Sequence, residues 1–218
     1  MKRPRLSPRH ELDLDRADRR LLAVVDGALE EAVRRAVRGD SSSWLACRPG
    51  CTECCHGPFP INELDARRLR QGLTELAGRD PQRAEAVAGR ARTQLALLRQ
   101  GYPGDPETGG LHDDGEAAEA WFSRHGGLPC PVLDPETGRC DLYSHRPITC
   151  RSFGPPVQIG ESPLPPCRLC FQGASGEVVE ACRVEPDPHG LEDRLLARLG
   201  NGGNPEPPDT LIAFALGG

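Results

Sequence analysis

The sequence of 218 residues is long enough for one domain of ordinary size, with a small appendage and a buried core. Its formal net charge of −5 argues against a nucleic-acid-binding domain that depends on phosphate contacts. Aromatic residues make up only 4%, against 25 glycines and 22 prolines, so we expect a modest core and many loops. A bound metal would help to hold such a chain together.

The ten cysteines are too sparse for a disulfide scaffold. A basic N-terminus (Lys2, Arg3, Arg5, Arg9) is not followed by an apolar run of signal-peptide length, and no stretch is long enough to span a membrane. We therefore expect a cytoplasmic protein without membrane or nucleic-acid partners. In a reducing compartment, clustered cysteines bind metals or perform redox chemistry.

Apolar residues at three-to-four spacing predict the helices. A basic arm at 1–10 precedes a helix at 11–38, and Asn62 is suited to cap a helix that ends near residue 77. Asp80-Pro81 begins a helix to about residue 100, and shorter helices are expected at 116–125 and 190–199. Loops are predicted at 101–115 and 154–166. A linker at 200–205 leads to an apolar tail at 211–216 that should pack on the body.

Residues 129–143 contain the turn-forming residues typical of a β-hairpin, with a turn predicted from Asp134 to Gly138. Pairing Leu133 with Arg139 would place Cys130 and Cys140 on one face, about 7 Å apart. The predicted fold is therefore mainly α with a small β-hairpin, an irregular, loop-rich helical domain organised around a cysteine-ligated metal centre. We divide it into 1–46 (arm and amphipathic helix), 47–185 (cysteine-cluster domain) and 186–218 (C-terminal helix and tail).

The metal-centre prediction rests on four cysteines within nine residues: Cys47, Cys51, Cys54 and Cys55. Pro49 and Gly50 make this segment a tight loop, and thiolates converging from a loop are the ligands that zinc and iron–sulfur clusters require. Six more cysteines follow downstream: Cys130, Cys140, Cys150, Cys167, Cys170 and Cys182.

The combined pattern is C-x3-C-x2-C-C, then P-C-P-x8-C-x2-Y-x2-R-P-x2-C-R-x-F, then Cys167. It resembles the bacterial cysteine-cluster proteins called the YkgJ-like family, which are described as zinc- or iron-chelating. The motif is also similar to one in the flagellin lysine N-methylases. The resemblance implies metal ligation by eight cysteines: Cys47, Cys51, Cys54, Cys55, Cys130, Cys140, Cys150 and Cys167. Cys170 and Cys182 lie outside the motif.

Eight thiols exceed the four that one cubane cluster or one tetrahedral zinc needs, so either two centres exist or some thiols lie outside the ligand set. Arg146 and Arg151 flank Cys150 and would offset the charge of an anionic cluster, unless they form surface ion pairs. We favour an iron–sulfur cluster of the [4Fe–4S] type and leave zinc open. We expect Tyr143 and Phe153 to form core around the site.

Three functions remain open at this point. The first is a cytosolic metal-binding protein, such as an iron–sulfur carrier, redox module or chelator. The second is an enzyme, by analogy with the methylases, although no nucleophile–base pair or carboxylate dyad stands out. The third is a structural zinc module for protein contacts. The sequence predicts neither a substrate nor a protein partner.

Overall fold

A computed structural model describes residues 7–40, 42–112, 115–200 and 207–218. Within them the fold is mainly helical with one two-stranded antiparallel hairpin, as predicted. None of the helices in these ranges is both long and apolar enough to cross a membrane. The helices are α1 (Pro8–Arg35), α2 (Glu63–Arg79), α3 (Pro81–Leu98), α4 (Glu116–Arg124), α5 (Ile148–Ser152), α6 (Gly176–Ala181), α7 (Leu191–Gly200) and α8 (Ile212–Gly217), and the strands are β1 (Val157–Ile159) and β2 (Ser162–Leu164).

The described residues fall into two compact units, each built from two separate segments. Unit 1 comes from Met1–Cys47 and Arg151–Asn204, and unit 2 from Arg48–Cys150 and Pro205–Gly218. The division predicted from sequence, at residues 46 and 185, stays a prediction.

Unit 1 is built on the long helix α1. Leu21 and Val25 are fully buried on one side of this helix, as its periodicity predicts, and α7 packs against it. Ala32 contacts the buried side chains of Val157 and Val184. These two valines also form a parallel bridge, which joins β1 to the chain after α6.

Unit 2 is a three-helix core of α2, α3 and α8. The apolar tail predicted to pack on the body is α8, and its close approach to α3 requires a glycine: a Cβ on Gly217 would lie 2.9 Å from Leu95 Cδ1. Ile61 and Thr210 exchange backbone hydrogen bonds of 2.8 Å in both directions, which fixes the tail beside the start of α2. Tyr102, Trp121 and Leu98 form a second core with the partly buried Phe214.

The predicted helices are present, with ends shifted by a few residues. Helix α1 begins at Pro8 with Ser7 as its N-cap, so residues 8–10 of the predicted arm are helical. Residues 1–6 of that arm, and the predicted linker except Gly200, lie outside the described residues. A further helix, α6, was not predicted, because its six residues are too few to show a period.

The strands are not where the sequence placed them. Residues 154–166 form the β1–β2 hairpin instead of a loop, with Ile159 opposite Ser162 and Gly160 at φ 54° in the turn. Pro163 is tolerated because β2 is an edge strand. In the predicted hairpin at 129–143 a single bridge forms, between Leu133 and Cys140, so the predicted register was wrong by one residue. Its prolines lack the N–H groups that would extend a ladder.

The N-cap of α2 gives a stability prediction. The Asn62 side chain accepts a hydrogen bond of 3.0 Å from the N–H of Asp65. We expect Asn62→Ala to lower the free energy of unfolding by about 1 kcal/mol, because that N–H loses its partner. Denaturant unfolding measures this loss. Gln71→Ala, at an exposed position of the same helix, is the control and should change the stability by less than about 0.5 kcal/mol.

Candidate metal centre

Five thiols converge within unit 2. The charge of Cys54 raises the pKa values of the other four thiols, which places all five near one another. They are brought there from three segments far apart in the chain, and all are partly buried: Cys54, Cys55, Cys130, Cys140 and Cys150. This convergence is the geometric property that a thiolate-ligated metal centre needs.

The adjacent pair Cys54 and Cys55 sits in a 3-10 turn, Glu53–Cys55, so the backbone curves and the two sulfurs approach each other. Cys55 donates a hydrogen bond to Cys54, which lowers the pKa of Cys54 and raises that of Cys55. The Cys55 carbonyl accepts a hydrogen bond of 2.7 Å from the N–H of Cys130. The first cysteine loop is thereby joined directly to the segment that carries the next predicted ligand.

Burial makes the other thiols difficult to ionise. Desolvation raises the pKa of Cys130 to about 12, and it also raises the pKa values of Cys140 and Cys150. Neighbouring thiolates add to the effect because like charges repel. A bound cation reverses this balance, since it stabilises the thiolate form of each ligand.

Cys51 belongs to the same unit, and the turn before Cys140 packs beside its loop. Gly138 has φ 66°, as the predicted turn requires, and a Cβ on it would lie 3.5 Å from the Gly50 carbonyl oxygen. The Asp134 carbonyl closes the turn by accepting a bond of 2.9 Å from the N–H of Gly138.

A buried carboxylate holds the Cys130–Cys140 segment against α3. Asp141, with a side chain 1% exposed, accepts a hydrogen bond of 2.5 Å from Arg83 Nε and one of 2.6 Å from Arg90 Nη2. Arg90 Nε also donates to the Pro131 carbonyl at 2.8 Å. The roles of these residues were not predicted, although the sequence shows an aspartate directly after Cys140.

A second buried carboxylate positions the segment that carries Cys150. Asp65 in α2 forms an ion pair with Arg68, and their side chains are 4% and 5% exposed. Asp65 Oδ1 also accepts a hydrogen bond of 3.1 Å from the N–H of Ile148, at the start of α5. Asp65 was not predicted either, because an acidic residue at the third position after an N-cap is usually interpreted as a helix-dipole partner.

The remaining four cysteines belong to unit 1. Cys47 is exposed, and its sulfur lies 4.0 Å from the Phe153 carbonyl oxygen. Cys167, Cys170 and Cys182 are buried in one apolar cluster. Two predicted ligands, Cys47 and Cys167, are therefore in a different unit from the other six, and their ligation stays a prediction.

The two predicted arginines have different surroundings. Arg146 lies near Cys54 and helps to lower the pKa of that thiol, while its guanidinium stacks 3.6 Å from the ring of Tyr143. Arg151 instead contacts Asp26 of α1 at 2.9 Å within unit 1. Tyr143 and Phe153 were expected to be core but are 62% and 44% exposed, and the stacking with Arg146 accounts for Tyr143 at the surface.

The donor chemistry of the site fits zinc or an iron–sulfur cluster, because every converging side chain is a thiol. In the described ranges, however, no group of three or more Cys, His, Asp or Glu side chains is already arranged to hold a metal ion. The thiols would have to turn toward a bound ion, as happens where metal binding completes the folding of a site.

A sequence model of a protein family, described as "Putative zinc- or iron-chelating domain" and designated CxxCxxCC, matches residues 46–168. This region covers more than half of the chain and includes all eight predicted ligands, so the chain belongs to this family. Chelation of zinc or iron through cysteines is the role that this membership supports. No curated protein and no solved structure matches the chain.

The Asp65–Arg68 pair gives a second stability prediction. We expect Asp65→Ala to lower the free energy of unfolding by about 3–5 kcal/mol, because it leaves a buried guanidinium without its carboxylate. Denaturant unfolding measures the loss. The control is Glu85→Ala, which removes the exposed partner of Arg92 and should cost at most about 1 kcal/mol. Equal losses in the two variants would contradict the importance of burial.

Proposed function

We propose that this protein is a cytoplasmic metal-binding protein whose thiolates hold one iron–sulfur cluster, with redox or metal-chelating activity. The ligands come from the six cysteines of unit 2: Cys51, Cys54, Cys55, Cys130, Cys140 and Cys150. The cluster would supply one-electron chemistry when bound. The protein supplies thiolates, a partly desolvated site and a nearby guanidinium from Arg146.

The observation that carries the proposal is the convergence of five partly buried thiols, four of which have pKa values raised in part by the charge of neighbouring thiolates. Placing so many ionisable groups together opposes ionisation unless a cation accepts the charge. A packed core would not need this arrangement, because a single buried thiol behaves as a small apolar side chain.

An all-thiol set fits a four-cysteine zinc site as well as an iron–sulfur cluster, so the preference for iron–sulfur rests on the histidine and the arginine beside these thiols. His56 directly follows Cys55, but its Nδ1 lies 3.0 Å from the Thr52 carbonyl oxygen and its side chain is exposed. Arg146 beside Cys54 also suits an anionic cluster, since guanidinium groups near the sulfurs lower the local negative charge.

Anaerobic purification followed by an absorption spectrum, metal analysis and sulfide analysis on one sample tests the proposal. We expect brown protein with acid-labile sulfide matching the iron content. Colourless protein with stoichiometric zinc and no sulfide would overturn the iron–sulfur assignment and support a structural zinc site. Protein without either metal after reconstitution would overturn metal binding itself.

The ligand assignment is tested by a pair of cysteine variants. We expect Cys150→Ser to lose the metal and much of its solubility, because it removes a converging thiolate. Cys182→Ser should retain both, since this buried thiol belongs to unit 1. Metal analysis of both purified variants measures the difference. Full metal content in Cys150→Ser would remove this residue from the ligand set.

Asp141 provides a test of positioning without changing a ligand. We expect Asp141→Ala to weaken metal binding by roughly tenfold or more, because the segment from Cys130 to Cys140 loses its attachment to Arg83 and Arg90. Competition with a chromophoric chelator measures the affinity. Glu85→Ala is the matched control, since it removes an exposed carboxylate of the same helix that pairs with Arg92. An unchanged affinity in Asp141→Ala would contradict the positioning role.

A further inference from the structure

Unit 1 contains a C-x2-C pair, Cys167 and Cys170, and neither cysteine is among the six ligands proposed above for unit 2. The N–H of Cys170 donates a hydrogen bond of 2.8 Å to the Cys167 carbonyl, so the two cysteines begin and end one tight turn. Such a turn brings its end Cα atoms within about 7 Å. A disulfide spans about 4.4–6.8 Å between Cα atoms, so the pair is placed for one.

Two hydrogen bonds to the segment at 44–46 hold Cys170 and the residue that follows it. The Cys170 sulfur accepts a hydrogen bond of 3.3 Å from the N–H of Ala46, and the N–H of Phe171 donates to the Trp44 carbonyl at 2.7 Å. Phe171 is buried and has φ 56°, a left-handed conformation that is costly for a bulky residue. The surrounding packing therefore fixes the end of this turn, and with it the position of the Cys170 sulfur.

The turn lies at the surface, although both cysteines are themselves buried. Cys167 is 9% exposed and Cys170 is 3% exposed, while the residues between them, Arg168 and Leu169, lie on the surface. Both cysteines are thiols in this structure. Cys167 is the more exposed of the two cysteines, so the first attack is assigned to it.

We propose that Cys167 and Cys170 form a redox-active dithiol that reduces low-molecular-weight disulfides and becomes an intramolecular disulfide. The Cys167 thiolate attacks one sulfur of the small disulfide, forms a mixed disulfide and releases one small thiol. The Cys170 thiolate then attacks the Cys167 sulfur, forms the internal disulfide and releases the second small thiol. The two protein protons pass to the two released thiols, and the protein loses the two electrons that the small disulfide gains.

This activity is separate from the proposed ligand set. Cys170 lies beyond residue 168, where the family match ends, and both cysteines belong to unit 1. Cys182 is buried in the same apolar cluster but is not part of the turn, so it provides a matched control for burial and for the loss of a thiol.

The experiment incubates the purified full chain with oxidised glutathione under anaerobic conditions. Remaining thiols are then alkylated, and disulfides are assigned by peptide mass spectrometry. We expect a Cys167–Cys170 disulfide in the wild-type chain and in Cys182→Ser. Cys170→Ser should stop at a glutathione adduct on Cys167, because the second attack has lost its nucleophile. Cys167→Ser should form neither product.

The proposal is overturned if both thiols are still alkylated after incubation, or if either pairs with Cys47 or Cys182 instead. Metal content is measured on the same samples before and after oxidation. A chain that lacks metal but still forms the disulfide would contradict the metal-binding proposal alone. A chain that keeps its metal without forming the disulfide would contradict the dithiol alone.

Discussion

The interaction on which the metal centre depends is the ionic contact between Asp141 and two arginines of α3. The segment from Pro129 to Cys140 is too rich in proline to hold itself with a β-ladder, and it forms only one bridge within itself, between Leu133 and Cys140. Its position is set by α3, through Arg83, Arg90 and also Gln94, which donates to the Pro129 carbonyl. These side chains recur along one face of α3, so the helix holds the segment in place where pairing with a second strand is lacking.

A second buried carboxylate, on α2, fixes the start of α5 through a similar set of contacts. Asp65 contacts both Arg68 and the N–H of Ile148, two residues before Cys150. Both carboxylates are themselves neutralised by guanidinium groups, so the protein places negative charge near the thiols without leaving it unpaired. Thiolates still need a cation, which is why the arrangement points to a metal and not only to a well-packed core.

The structure divides the cysteines between the two units, and their spacing in the sequence does not predict this division. Cys47 is only four residues from Cys51, yet the boundary between the units falls between them, and a second boundary follows Cys150. The matched region therefore contributes to both units. Cys167 and Cys170 share a turn in unit 1, and this local geometry suggests disulfide chemistry for a pair that spacing alone would assign to a metal.

The sequence by itself determined the longer helices, the turn at Gly138 and the thiol chemistry. Apolar periodicity, Asn62 as an N-cap and the ten cysteines are local signals that need no tertiary information. Only the tertiary structure decided which residues surround the thiols and where in the chain the β-hairpin forms. The roles of Asp65 and Asp141 depend on burial against residues far along the chain, and the strands at Val157–Ile159 and Ser162–Leu164 form despite prolines because β2 lies at an edge. Burial and long-range pairing arise from packing, which no local pattern of residues encodes.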